Sequence, residues 1–153
     1  MIAFEDLTPG RVFQFGSTVV DHDEMIEFAR RFDPQPFHLD EAAGKESIFG
    51  RLAASGWFTA GLWMRLYVDG LLLDSTALGS PGGDEVAWPA PVFASDELFG
   101  SLEVLEARRS ASKPWMGLIT LRAWMRRGTA DSADVVYRAR FTGMFGSREV
   151  PQR

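Results

Sequence analysis

Asp33 and His38 are the residues of this 153-residue chain whose types and spacing point most directly to chemistry. They lie in the stretch Phe32-Asp33-Pro34-Gln35-Pro36-Phe37-His38-Leu39-Asp40, and His38 is one of only two histidines. Each proline fixes its own φ and biases the residue before it toward extended backbone. Asp33 and Gln35 are therefore expected on a stiff, extended path that lets a carboxylate and an imidazole face one small space. Such a pair can hold a water and move its proton. An isolated Asp-x4-His also fits a proline-rich loop with a solvated carboxylate, so the surrounding elements have to decide.

A second candidate lies at Ser55-Gly56. The run from Leu52 to Asp69 is apolar on nearly every side, which predicts a buried helix of about 56–72 wrapped by other elements. Ser55 is a good N-cap for it. The Gly56 and Trp57 amides would then be free donors at the positive end of the helix dipole, where an anion or a polarised carbonyl can bind. Simple capping of a buried helix explains the same residues. Arg65 and Asp69, four apart, are placed to pair on this helix.

The elements that deliver Asp33 read as follows. Val12 to Phe15 and Ser17 to Val20 are strand-like and split by Gly16. Asp21 caps a helix in which Met25, Phe28, Ala29 and Phe32 recur at helical spacing, with Val20 and Met25 placed as a hydrophobic staple. His22 falls in its first turn and is given no role. Asp40 to Ala43 reads as a short helical turn, and Leu73 to Gly83 as a Gly- and Ser-rich loop. Strands are expected at Glu85–Trp88, Pro91–Phe93, Glu97–Glu106, Trp115–Arg126 and Val135–Phe145, with a hairpin loop around Gly128. One long buried helix followed by an antiparallel meander is an α+β layer fold, the sheet curled around the helix. The apolar circumference of the helix exceeds what one curled sheet covers, so a homodimer or dimer of dimers is expected.

Composition narrows the function classes. Apolar residues make up 46% and charged residues 24%, an ordinary globular balance. The absence of cysteine removes disulfides, thiolate metal sites and cysteine nucleophiles. Residues 1–6 show no secretory pattern, and Arg65 and Asp69 interrupt the longest apolar run. Neither export nor a membrane span is expected, and the cytoplasm is the expected compartment. Net charge is −5, which weighs against nucleic acid. Positive residues do gather at Arg108, Arg109 and Lys113, and again at Arg122, Arg126, Arg127, Arg138 and Arg140, with Trp115 and Trp124 among them. A solvated sheet face accounts for these better than an RNA-binding one.

Taken together, these motifs resemble the MaoC-like family of hot-dog proteins, the dehydratases and (R)-specific enoyl-CoA hydratases. The resemblance rests on Asp33 to Asp40, Leu52 to Ala60, Trp88-Pro89-Ala90-Pro91-Val92 and Arg109 to Pro114, in that order, and implies a single hot-dog domain over 1–153. It further implies that Asp33 and His38 hold the water added to a 2-enoyl thioester, or removed from a 3-hydroxyacyl thioester. The Gly56 amide would bind the thioester carbonyl, with Gln35 and Ser55 beside the substrate. No metal or redox cofactor is implied, since coenzyme A or an acyl carrier arrives with the substrate. Arg108, Arg109 and Lys113 are the candidate partners for its phosphates. Gln35 departs from the Asn that the hydratases typically carry there, which leaves two alternatives open: a hot-dog thioesterase and a catalytically silent acyl-binding or regulatory subunit.

Overall fold

Alternation of apolar and polar residues in the second half of the chain produces the sheet that carries everything else. The computed structural model describes residues 1–150. Strands β1 (Val12–Val19), β2 (Ala77–Ala87), β3 (Glu97–Arg109), β4 (Met116–Arg127) and β5 (Val135–Gly146) form one antiparallel sheet in the order β1-β3-β4-β5-β2. Along β4, Ile119, Leu121, Ala123 and Met125 are buried, while Arg122 between them is exposed, the period-two pattern of a half-buried strand.

The inner face of the sheet curls around helix α4 (Gly56–Gly70). Phe58, Thr59, Trp63 and Tyr67 are its buried residues, and Trp63 donates its indole N–H to the Ser101 carbonyl at 3.0 Å. Close approach requires glycine where the helix meets the strands. A Cβ at Gly70 would lie 2.5 Å from the Phe15 ring, and one at Gly100 would lie 2.9 Å from a Leu66 methyl. The opposite side of α4 is open within one chain: Trp57 is 59% exposed and Met64 45%. Arg65 and Asp69 pair there at 2.8 Å, as their spacing predicts.

Helix α1 (His22–Phe32) starts as expected, with Asp21 accepting from the Glu24 amide at 2.8 Å and the staple residues Val20 and Met25 both buried. Helices α2 (Pro36–Leu39) and α3 (Glu41–Glu46) follow, the latter capped by Asp40, which accepts from the Ala43 amide at 2.9 Å.

Three expectations are corrected. The Gly- and Ser-rich segment up to Gly83 is no loop beyond Thr76; it is the first half of β2. Poor strand-formers hid it, but Gly83 must pair here, since a Cβ would meet the Arg140 carbonyl at 2.3 Å. Pro91–Phe93 is not a strand, because Pro89 and Pro91 lack donors for a ladder and the segment runs as a loop with Val92 buried. The two halves of the first strand are one strand, with Gly16 at φ +77° in a bulge between Gln14 and Ser17. Among the described residues no helix is long and apolar enough to cross a membrane.

Candidate active site

The last turn of α1 delivers Asp33. Its amide bonds the Ala29 carbonyl at 2.8 Å, after which Asp33 leaves the helix at φ −149° and Gln35 is extended at φ −83°, ψ 142°. The bias from Pro34 and Pro36 is thus realised up to Gln35. Beyond it the extended path ends, because Pro36 opens one helical turn as its first residue, a position where its missing N–H costs nothing. That turn, rather than an extended loop, swings His38 back toward Asp33. His38 Nε2 lies 3.3 Å from Asp33 Oδ2, and the imidazole is buried.

Two hydrogen bonds hold the carboxylate and one holds the imidazole. Gln35 Nε2 donates to Asp33 Oδ1 at 2.7 Å, and Ser55 Oγ donates to Oδ2 at 2.8 Å. His38 Nδ1 meets the Ala53 carbonyl at 2.7 Å. A carbonyl only accepts, so Nδ1 carries a proton and Nε2 is the nitrogen left to exchange one with a neighbour. Burial alone would raise the Asp33 pKa. The bonds from Gln35 and Ser55, with the charge of His38, outweigh it and hold the carboxyl below its ordinary value. Asp33 is therefore an ionised acceptor at neutral pH.

Ser55 occupies the N-cap of α4, yet its hydroxyl caps nothing; it is fully buried and turned to Asp33. The Gly56 amide, at the first position of the helix, has no acceptor from the chain among the described residues. Gly56 lines a cavity of about 470 Å³ together with His38, Phe49, Thr59 and Trp88. Trp88 lies directly over Gly56, where a Cβ would stand 2.6 Å from the indole, and meets Trp57 edge to face at 4.9 Å. Strand-like contacts fix this wall: the Ala53 amide bonds the Phe37 carbonyl at 3.3 Å, and the Ala54 amide bonds the Val92 carbonyl at 2.8 Å. The His38 imidazole, with Asp33 behind it, and a free helix-end amide thus border one largely apolar space.

The sequence matches the family profile described as MaoC like domain over residues 5–123. The chain belongs to the MaoC-like domain family. It is similar to the crystal structure of a MaoC-like dehydratase from Rhodospirillum rubrum, at 36% identity and a TM-score of 0.87, covering 98% of this chain and 100% of that one. An (R)-hydratase of A. caviae involved in PHA biosynthesis shares the fold at 22% identity and a TM-score of 0.66, over 94% of this chain and 99% of that one. An uncharacterized protein of Bacillus subtilis (strain 168), YdeM, is 28% identical over 117 residues, 76% of this chain and 82% of the relative. The sheet wrapped on α4 is accordingly the hot-dog fold.

In this MaoC-like domain, Asp33, Gln35, His38, Ser55 and Gly56 converge, whereas Arg108, Arg109 and Lys113 do not join them. Those three stand at the far end of β3 from the loop that carries Val92. Arg109 is spent on the Pro114 carbonyl, the Ser147 hydroxyl and the carboxylates of Glu5 and Glu149, and Lys113 sits 5.9 Å from the Trp115 ring. Sequence reasoning missed the use of Ser55 as a partner of Asp33 and the packing of Trp88 on Gly56. The run Ala53-Ala54-Ser55-Gly56, small at every position, was the available signal for a tight approach.

Proposed function

We propose that this protein is a hydro-lyase of acyl thioesters, adding water to a 2-enoyl thioester or removing it from a 3-hydroxyacyl thioester. The single observation that carries the reading is the 3.3 Å approach of His38 Nε2 to Asp33 Oδ2 beside the free Gly56 amide. A water hydrogen-bonded to the pair gives a proton to the ionised Asp33 as its oxygen attacks the β-carbon. That proton passes from Asp33 Oδ2 to His38 Nε2 across the 3.3 Å between them, and Nε2 gives it to the α-carbon, so both side chains end as they began; the reverse sequence removes water. Enolate charge grows on the thioester oxygen in between, and the Gly56 N–H is the donor that would meet it. A fixed donor of this kind is worth about 3–4 kcal/mol of barrier in other enzymes. Gln35 fits the reading despite its extra methylene, because its amide folds back onto Asp33. The substrate supplies its own carrier, and no metal or redox group enters any step. We place the protein in the cytoplasm as a homodimer, the second copy covering the open side of α4 around Trp57 and Met64.

The test is loss of enoyl absorbance with a panel of 2-enoyl-CoA thioesters of differing length. Turnover on at least one, abolished by Asp33→Asn, is expected. Hydrolysis of the thioester without hydration would make the protein a thioesterase, and neither reaction on any of them would leave an acyl-binding subunit.

A further inference from the structure

Arg127, the last residue of β4, belongs to the basic cluster that the sequence alone explains as a solvated sheet face, and it departs from that description. Its side chain is 23% exposed, against 54% for Arg122 and 52% for Arg138. Its fork of donors is spent on three different groups. Nε donates to Asp134 Oδ2 at 2.8 Å, while Nη1 donates to Asp96 Oδ2 at 2.7 Å and to the Pro91 carbonyl at 2.8 Å. Ion pairs near a surface add little stability, whereas a rigid guanidinium fixes direction.

What Arg127 holds is the loop that walls the Gly56 cavity. Trp88, Pro89, Ala90, Pro91 and Val92 all line that cavity, and the two prolines have no amide with which to join a ladder. Beyond Val92 the loop turns sharply. The Phe93 amide donates to Asp96 Oδ2 at 2.9 Å, and the Asp96 amide to the Phe93 carbonyl at 3.2 Å. Ser95, inside this turn, stands at φ +71°, the one residue other than glycine with positive φ among the described residues. Such a conformation is disfavoured for an L-residue and persists only where its surroundings over-determine it. Arg127 supplies that restraint on both sides, at Pro91 before the turn and at Asp96 within it.

Two further bonds carry the restraint to the imidazole. The Val92 carbonyl accepts from the Ala54 amide at 2.8 Å, and the neighbouring Ala53 carbonyl is the acceptor of His38 Nδ1 at 2.7 Å. We propose that Arg127 is a positioning residue for this site, setting the place of the wall over Gly56 and, through Ala54 and Ala53, the orientation of His38. It acts from outside, since it does not line the cavity. The effect on turnover rests on the reading of that cavity as a thioester site; the hold on the wall does not.

Arg127→Gln, which keeps an amide but neither the fork nor the charge, tests this in the full chain. Hydrogen exchange of the Ala54 amide, followed by NMR, is expected to quicken by about tenfold or more, while the amide of the fully buried Leu121 in the middle of β4 keeps its rate. On the best enoyl thioester kcat should fall by about tenfold or more with KM within about twofold, because a loosened wall misplaces a bound substrate rather than weakening its binding. Arg127→Lys, a point charge in place of the fork, should lie between. Adding Ser95→Gly to Arg127→Gln should recover part of both losses, since glycine holds φ +71° without restraint. If Arg127→Gln does not fold, the same comparisons apply to Arg127→Lys. An arginine that merely stabilises the fold would lower the melting temperature and leave kcat, and Ala54 exchange relative to Leu121, unchanged where the variant is folded. That result, or no recovery by Ser95→Gly, would overturn the proposal. Quickened Ala54 exchange in a protein that hydrates no thioester would strike the hydro-lyase reading and keep the hold of Arg127 on the wall. Hydration by wild type, with kcat and Ala54 exchange unchanged in Arg127→Gln, would do the reverse.

Discussion

The Ser55 hydroxyl donates to Asp33 Oδ2 at 2.8 Å, and its oxygen accepts no bond from the free amides of its own helix. The bond stabilises the ionised carboxylate and ties Asp33 to the N-terminus of α4 through a single buried serine.

That coupling predicts a pH effect. The Asp33 carboxyl is held below its ordinary value, so as a base it works down to lower pH than a free aspartate, whose pKa is about 3.9. Ser55→Ala removes one of the bonds that lower it and should move the acid limb of kcat/KM to higher pH. Stability follows the same sign. A depressed carboxyl contributes stability that is complete above its unfolded pKa and is lost as pH falls through the folded one. The charge-dependent part of the difference in melting temperature between wild type and Ser55→Ala should therefore be present at neutral pH and shrink below about pH 3.9. Identical pH–rate profiles would remove Ser55 from the control of Asp33.

Asp33→Asn and His38→Ala should each lower turnover on the best enoyl thioester by roughly 100- to 10,000-fold, the usual contribution of a positioned acid or base. The His38 substitution also opens space against Phe37, which meets the imidazole edge to face, and Phe49, which lies parallel to it, so some loss of melting temperature is expected with it. Near-wild-type rates in either variant would exclude that residue from the chemistry.

Gln35 provides a test of reach. Its amide bonds Asp33 Oδ1 at 2.7 Å, and Asn would draw the donor back by roughly 1.5 Å, one carbon–carbon bond. Gln35→Asn should depress hydration unless the backbone moves to follow, and Gln35→Ala should depress it further while raising the Asp33 pKa. Equal rates for Gln, Asn and Ala on a short and a bulky enoyl thioester would show that the amide has no part in catalysis.

Gly56→Ala should cost turnover through Trp88, because the added methyl would lie 2.6 Å from the indole. Combining it with Trp88→Leu should recover part of the activity by freeing that space. If the double variant is no better than Gly56→Ala, the loss comes from the helix end itself rather than from the wall above it.

The unpaired edge of β2, exposed along nearly all of its length, and the bare side of α4 around Trp57 and Met64 together predict self-association. Light scattering at micromolar concentration should report a dimer or a dimer of dimers, and Met64→Lys should dissociate it. A stable monomer would mean that this apolar surface faces something other than a second copy.

Much of the molecule was legible in the sequence because the signals were local and periodic. Asp21, Val20 and Met25 announce the start of α1, the prolines at 34 and 36 dictate the extended backbone before them, and alternation along β4 and β5 sorts inner from outer residues. The types and order of Asp33, His38, Ser55 and Gly56 were likewise readable, together with the chemistry such groups can perform. Other features depended on which segments meet. The end of β2 from Glu85 was readable, but its first half is held by backbone approach at Gly83 rather than by strand-forming side chains, so no local pattern reveals it. The partner of Ser55 was decided by the path that carries Asp33 over the end of α4, and the separation of Arg109 from the pair by the length of β3. A serine at a helix start can accept from its own helix amides or donate to a carboxylate 22 residues away. Only the packed arrangement determines which partner stands within reach.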